Sequence, residues 1–250
     1  MKVPVVCLLL ALGPLVALAG PPFVTDDPEP VEYRHWEFYL ASQHAKTAAG
    51  WSGTAPHVEV NYGAVSNLQL HLIAPLAYDA PAQGSGAYGY GDTEVGAKYR
   101  FIQEQDWLPQ FGVFPLLEIP TGNADRGLGS GHVGAFLPLW LQKSWGAENR
   151  KWTANGGGGY FINPGAGNRD WIYCGLVLQR QVTAKVQVGG EIYHRTSTDI
   201  GKRADTAFNL GTTIDLSDSH HLLFSAGRSI DGPTEFQMYV GYQLTIGPDK

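Results

Sequence analysis

Hydrophobic and polar residues alternate strictly along residues 91–102, GDTEVGAKYRFI. The two alternating sets are Thr93, Val95, Ala97, Tyr99 and Phe101, and Asp92, Glu94, Gly96, Lys98 and Arg100. A period of two places these sets on opposite faces of a β-strand. The pattern therefore predicts a strand that separates an apolar environment from an aqueous one.

The same alternation recurs along most of the chain. We count about twelve predicted strands, an even number, as is typical of bacterial outer-membrane β-barrels. They cover residues 36–41, 57–62, 68–73, 91–102, 111–119, 133–141, 152–162, 172–178, 186–193, 208–216, 222–226 and 236–246.

The connections between these strands alternate in length. The longer ones are residues 45–54, 79–90, 121–130, 163–169, 196–204 and 230–234, and the shorter ones are 64–67, 103–108, 146–150, 182–184 and 217–220. Long outer loops and short periplasmic turns are typical of membrane barrels, whereas a soluble sandwich has no reason to sort its loops. Because no helical period lies between the strands, we predict an all-β fold, an up-and-down transmembrane antiparallel barrel.

The start of the chain predicts export. Lys2 precedes an apolar run over residues 3–16, and small residues at 17–19 complete the pattern of a signal peptide cleaved after Ala19. Pro14 and a span below about 20 residues argue against an anchor helix. We expect an acidic, proline-rich lead-in over 20–34, a barrel over 35–246, a short tail over 247–250, and a location in the outer membrane of a Gram-negative bacterium.

Composition and charge restrict the partners. The 250-residue chain has a formal net charge of −6 and no basic run, which argues against nucleic acid. Cys7 is lost with the signal peptide, so Cys174 has no partner for a disulfide and cannot build a cysteine metal site. We predict no metal and no cofactor, and expect outer-membrane lipid and a small-molecule solute as partners.

Three local features need their own interpretation. Pro75, Pro115 and Pro138 fall within predicted strands, where a proline marks a bulge or a strand end. Residues 26–30, DDPEP, favour a solvated periplasmic lead-in over a lumen plug or a cation site, because two prolines oppose compact ligand geometry. The glycines of 156–159 lack the lysine of a phosphate loop and indicate curvature or close backbone approach.

Several segments of the chain resemble a known family. The residues that carry the resemblance are 22–42 (PFVTDDPEPVEYRHWEFYLAS), 73–78 (IAPLAY), 91–101 (GDTEVGAKYRF), 115–123 (PLLEIPTGN) and 239–246 (YVGYQLTI). They resemble outer-membrane proteins labelled for the meta pathway of phenol degradation. The resemblance implies a transporter-like or porin-like barrel associated with small hydrocarbon or aromatic compounds, and it implies no catalytic residues.

The polar faces of the predicted strands supply the candidate site. If the apolar faces meet lipid, the polar side chains line the lumen and form the path of a solute. They are Glu37, Glu59, Gln69, His71, Asp92, Glu94, Lys98, Arg100, Glu118, Gln187 and Glu191. Phe114, Leu116, Phe136 and Trp140 are also predicted to point inward, as contacts for an aromatic solute or as filling.

Three functions remain open at this point. The inward charges either select solutes in a conduit for small, aromatic or hydrophobic molecules, or form a network that closes a narrow structural barrel. A lipid-active enzyme would need a lipid-facing serine and histidine. His57, His71 and Ser225 are instead predicted to face inward, so we predict a conduit and no enzymatic activity.

Overall fold

The computed structural model describes residues 21–147 and 150–248, so the predicted signal peptide lies outside the described residues. The strands are β1 (Trp36–Thr47), β2 (Gly50–Val65), β3 (Leu68–Pro81), β4 (Ala87–Tyr90), β5 (Thr93–Ile102), β6 (Gln110–Val113), β7 (Leu116–Ile119), β8 (Gly134–Trp145), β9 (Trp152–Ile162), β10 (Trp171–Thr183), β11 (Val186–Arg195), β12 (Asp205–Asp215), β13 (His220–Asp231) and β14 (Phe236–Ile246). A short 3-10 helix spans Ala124–Arg126. No described helix has the length and apolar character needed to cross a membrane.

These strands close into one antiparallel barrel. Both β4 and β5 pair with β3, and both β6 and β7 pair with β8, so each couple forms one interrupted barrel strand. The result is a barrel of 12 strands. It closes where β1 pairs with β14, from Trp36 opposite Ile246 to Lys46 opposite Phe236. The predicted fold class is therefore confirmed.

The two faces of the wall differ as the alternation predicts. Large apolar side chains such as Leu210, which is 66% exposed, project outward, while polar side chains such as Lys98 and Glu59 are buried inside. On β5, Tyr99 and Phe101 are exposed on the outside on either side of Arg100. An apolar exterior around a polar interior is the arrangement required of a membrane barrel.

The three strand prolines lie at two interruptions of the wall. Pro115 falls between β6 and β7. On the neighbouring strand β8, residues 134–136 pair with β7 and residues 139–142 pair with β6. Pro138 lies between these two paired stretches and so faces the same interruption. Pro75 of β3 lies opposite the break between β4 and β5. A proline has no N–H to donate, so each sits where the neighbouring strand offers no regular acceptor.

Three of the six predicted long connections, 45–54, 79–90 and 230–234, are short turns in the structure. The predicted loop 45–54 is a tight turn, since β1 extends to Thr47 and β2 begins at Gly50, and β3 similarly continues to Pro81. Both faces of a hairpin that extends beyond the hydrocarbon are wet, so its alternation disappears although its pairing continues. The long connections are residues 120–133, 163–170 and 196–204, all at the outer end.

We predict that charge on the outer face destabilises the barrel according to depth. Leu210→Arg, near the middle of β12, should lower the free energy of unfolding by about 2–4 kcal/mol, whereas Leu216→Arg, beyond the end of that strand, should cost about 0–1 kcal/mol. Denaturant unfolding in lipid vesicles measures both variants. Equal losses at the two positions would contradict the lipid-facing assignment.

Candidate functional site

Residues 21–35 are called the lumen segment below, because residues 21–31 run inside the barrel, while the exposed residues 32–34 lead from it to β1. Thr25 and Asp27 are fully buried, and Pro28 is among the most buried side chains of the structure. The expectation that residues 26–30 form a solvated periplasmic lead-in is therefore wrong. The physical reason is that the interior supplies polar partners for this acidic chain, which its composition alone does not reveal.

The lumen segment follows the inner wall around the barrel. The Ser225 hydroxyl on β13 donates to the Pro22 carbonyl, and the Glu191 carboxylate on β11 accepts from the backbone N–H groups of Val24 and Thr25. Farther round, Gln69 on β3 accepts from the backbone N–H of Val31 at 2.9 Å. The segment then pairs with β2 through the Arg34 N–H and the Gly63 carbonyl and leads into β1.

Glycines in the wall make room for this segment. A Cβ atom added to any of these glycines would come closer to the lumen segment than van der Waals contact permits. The residues of the segment that it would contact are Phe23, Thr25, Pro28 and Glu32. These wall positions are Gly63, Gly112, Gly175, Gly189 and Gly211. The bare backbone at these points therefore forms a track for the lumen segment.

Basic and amide side chains of the wall bind the acidic groups of the segment. Lys98 Nζ lies 2.9 Å from Asp26 Oδ1 and 3.7 Å from Asp27 Oδ1. The side chains of Lys98 and Asp27 are buried, and that of Asp26 is partly exposed. Glu29 accepts hydrogen bonds from Gln110 and Gln142, and it lies 3.5 Å from the Arg100 guanidinium. Residues 26–30 are thus bound to side chains of the barrel wall.

Aromatic side chains fill one side of the interior. Phe114, Trp140, Tyr173 and Tyr193 form a buried cluster together with Ala207, and Phe136 and Trp171 pack against it. Gly157 and Gly159 of β9 admit Trp140 and Phe136, because a Cβ there would clash with their rings. Gly157 and Gly159 of the run 156–159 therefore make room for aromatic rings of the interior.

The opposite side of the interior is open. A cavity of about 1020 Å³, called the main cavity below, lies between the lumen segment and the inner faces of β1, β2, β3, β5, β7 and β14. Its lining extends from Ser219 and Gly247 at the inner end to His44 and Ser52 near the outer hairpin. A second cavity of about 670 Å³ lies at the inner end beside Arg100. The lumen is thus narrowed and not filled.

The wall of the main cavity is rich in carboxylates. His71 lies between two of them, with Nε2 2.9 Å from Glu94 Oε1 and Nδ1 3.7 Å from Glu59 Oε1. Asn61 bridges His71 and Glu59 by hydrogen bonds of 2.7 and 2.8 Å. Glu37 accepts a hydrogen bond from the Tyr39 hydroxyl at 2.8 Å. These contacts fix the side chains that face the open space.

The structure brings together most, but not all, of the residues predicted to line the solute path. Six of them line the main cavity, namely Glu37, Glu59, Gln69, His71, Glu94 and Lys98. Arg100 lines the inner cavity instead. Gln69 and Lys98 both bind the lumen segment as well, so their polar groups are already committed.

Four predicted residues have other surroundings. Asp92 lies between β4 and β5 and accepts hydrogen bonds from Gly122 and from Ser130, which anchors the outer connection 120–133. Glu191 is occupied by the lumen segment. Glu118 on β7 and Gln187 on β11 lie outside both cavities. The alternation gives the face of a residue but not what covers it.

Sequence reasoning missed three groups of the main cavity. Tyr39 and Tyr239 occupy inward positions of β1 and β14, which their place in the alternation indicates. Asp26 lines the cavity from the lumen segment. No local signal in the sequence places Asp26 there.

Hydrogen bonds also order the outer connections. Asn168 donates to His132 Nε2 at 2.8 Å and so joins two outer connections. The Thr198 hydroxyl donates to the Asp199 carboxylate and holds the pKa of that carboxyl below its ordinary value. Because Asp199 is ionised at neutral pH, it also attracts Lys202, whose Nζ lies 3.0 Å from its carboxylate.

Possible metal ligands and the serine and histidine side chains named above lie among the described residues. The described residues contain no cluster of three or more histidine, cysteine or acidic side chains placed to hold a metal ion. Ser225 is buried inside the barrel and donates to Pro22, while the His57 ring bonds to Thr54. Both side chains are therefore committed to contacts within the interior.

Comparison with known proteins agrees with this architecture. The family model described as "Putative MetA-pathway of phenol degradation" matches residues 47–245. The chain belongs to this family. The resemblance inferred from the sequence is thereby confirmed. No curated protein matches the chain.

Solved structures similar to this family member are outer-membrane barrels. An outer membrane channel from Pseudomonas putida F1 superposes with a TM-score of 0.72 at 17% identity, over 88% of this chain and 98% of that chain. The NanC porin gives 0.56 at 6% identity over 83% and 98%, and the KdgM porin gives 0.54 at 11% over 82% and 98%. At such low identities the likeness establishes the outer-membrane barrel fold.

We predict that Lys98 holds the lumen segment in place. Lys98→Met leaves Asp26 and Asp27 without their cation, and breaking a buried pair in this way costs about 3–5 kcal/mol. In a Cys174→Ser background, a cysteine introduced by Thr25→Cys should then react with a water-soluble maleimide at least about tenfold faster.

The matched control is Lys143→Met. Lys143 pairs with Glu104 and the carbonyl of Gln105 at an inner turn, away from the lumen segment. Its loss should leave the labelling rate unchanged. Equal acceleration in both variants would show that the barrel as a whole, and not the segment, has loosened.

Proposed function

We propose that this protein is an outer-membrane channel for small molecules. The observation that carries the proposal is the main cavity, whose lining residues come from both ends of the barrel. The path follows β1, β2, β3, β5, β7 and β14, because the aromatic cluster and the lumen segment occupy the rest of the interior. The likeness to barrels described as channels and porins supports the proposal at the level of the fold.

The lining favours solutes that combine an apolar and a polar part. Ile73, Phe114 and Leu116 supply apolar surface, whereas Glu59 and Glu94 supply charge. Mixed lining of this kind orients a solute through a few polar contacts while apolar surface contributes most of the contact area. A small aromatic compound with one polar group fits this description and agrees with the family to which the chain belongs.

A closed structural barrel is the second candidate. The observation in its favour is the lumen segment, which is bonded to wall strands from β13 round to β2 and leaves open only part of the cross-section. Such a barrel would pass no solute in its resting state. The two candidates differ in flux, which a reconstituted protein reveals directly.

Flux through the main cavity should depend on a side chain placed at its outer end. In liposome swelling, we expect the natural protein to admit small solutes and to exclude large ones, and we expect Ser52→Trp to reduce the rate by about tenfold, because the indole occupies space that the solute needs. Ser52 is exposed to the cavity and makes no buried contact that the substitution would break.

The control is Val182→Trp, at an exposed inner turn outside the cavity. It adds the same ring and should leave swelling unchanged. Absence of swelling with any solute for the natural protein would overturn the channel and favour the closed barrel.

A further inference from the structure

The carboxylates of the main cavity outnumber the cations available to them. Among the described residues, Glu37 and Glu59 form no ion pair with a lysine or arginine, and His71 is shared between Glu59 and Glu94. Lys98, a lysine of β5 that lines the same cavity, is held by Asp26 and Asp27. A carboxylate removed from water is costly without a cationic partner, so this wall favours a positively charged occupant.

Glu37 and Glu59 lie close enough to act on one ligand group. Both point inward from neighbouring strands, where Glu37 pairs with Asn61 and Tyr39 pairs with Glu59. Diagonal neighbours of this kind on one face of a sheet have Cα atoms about 7–8 Å apart. Their carboxylates therefore approach the same region of the cavity.

A buried hydroxyl without a partner points to the same place. Tyr239 is 6% exposed and lines the main cavity, and its hydroxyl has no hydrogen-bond partner in the described structure. Its ring lies over Gly241, where a Cβ would come within 2.7 Å of the hydroxyl oxygen. The side chain thus leans along β14 toward the level of Tyr39 and Glu59. An unsatisfied buried hydroxyl is costly unless a ligand completes it.

Tyrosine and carboxylate together suit one class of ligand. Protonated amines donate N–H groups to carboxylates and to a phenolic oxygen, and their charge is attracted to the face of an aromatic ring. The volume of the cavity also leaves room for an organic body beside Phe114 and Leu116. A bare inorganic cation would use neither that volume nor the aromatic lining.

We propose that the main cavity binds a small organic ammonium ion, with its N–H groups directed to Glu37, Glu59 and the Tyr239 hydroxyl. This inference deepens the proposed function and rests on it, since the ammonium compound would be a solute of the channel. Binding is measured on the purified protein without flux, so the two proposals are tested separately.

Calorimetry of the full chain in detergent at neutral pH tests the inference. The probes are benzylammonium chloride, the uncharged benzyl alcohol and the anionic benzoate, at one fixed ionic strength. We expect benzylammonium to bind at least about tenfold more tightly than either other probe, because a hydrogen bond to a charged group is stronger than one to a neutral group.

Variants locate the site. Glu59→Gln and Glu37→Gln keep the shape of each side chain and remove its charge, and each should weaken benzylammonium binding by about tenfold. Tyr239→Phe should weaken it by a smaller factor. Glu104→Gln is the matched control, since the Glu104 carboxylate pairs with Lys143 at an inner turn outside the main cavity, and it should change nothing. Heat-dependent migration on a denaturing gel checks that each variant is folded.

Three results would overturn the inference. They are equal affinity for benzyl alcohol and benzylammonium, equal weakening by Glu104→Gln and Glu59→Gln, and displacement of the probe by potassium ions at equal concentration. If neutral solutes enter liposomes but benzylammonium is not preferred, the channel proposal stands and the ammonium-binding proposal is wrong. If benzylammonium binds but no solute enters liposomes, the ammonium-binding proposal stands and the channel proposal is wrong.

Discussion

Closure of the hydrogen-bonded wall is the constraint on which the rest of this structure depends. In hydrocarbon no water can satisfy a free backbone N–H or C=O group, so the first and last strands must pair. The pairing of β1 with β14 over eleven residue pairs meets that requirement. Pro115 and Pro138 face one interruption and Pro75 faces the other. The missing donors of three prolines are thereby confined to two places in the wall.

A closed wall of this size leaves an interior that must be occupied in some way. Here three kinds of occupant divide it: aromatic rings on one side, the lumen segment along the wall, and open space beside β1, β2, β3, β5, β7 and β14. The division also separates the charges. Lys98 and Arg100 of the wall pair with the acidic lumen segment, so they form no ion pair with Glu37 or Glu59 across the cavity. The electrostatics of the open space are therefore set by a segment that precedes the barrel.

The sequence predicts the wall well because one local rule governs it. A period of two identifies the inward position of Glu59, Gln69 and Lys98 without knowledge of any partner, and the structure buries all three. The rule fails outside the hydrocarbon, where both faces are wet, and so the outer ends of β1 and β2 were predicted to be a loop. Prolines were predicted as breaks, but which strand shares a break depends on register, which only the paired structure shows.

The interior could not be predicted in the same way, since its contacts connect distant parts of the chain. Asp26 meets Lys98 across 72 positions, and Thr25 meets Glu191 across 166. The composition of residues 26–30 is that of a solvated segment, and only the arrangement of polar wall groups and of the glycine track makes burial favourable. Lys98 illustrates the difference: its direction followed from the alternation, whereas its role as the partner of the lumen segment did not.

The path of the lumen segment has a consequence for how the barrel is built. The segment is joined directly to β1, whose edge is sealed by β14, the last strand of the chain. Its contacts lie on strands from β13 round to β2, so it follows nearly the whole inner circumference of the wall. The leading residues therefore connect, from the inside, strands that the wall itself joins only through their neighbours.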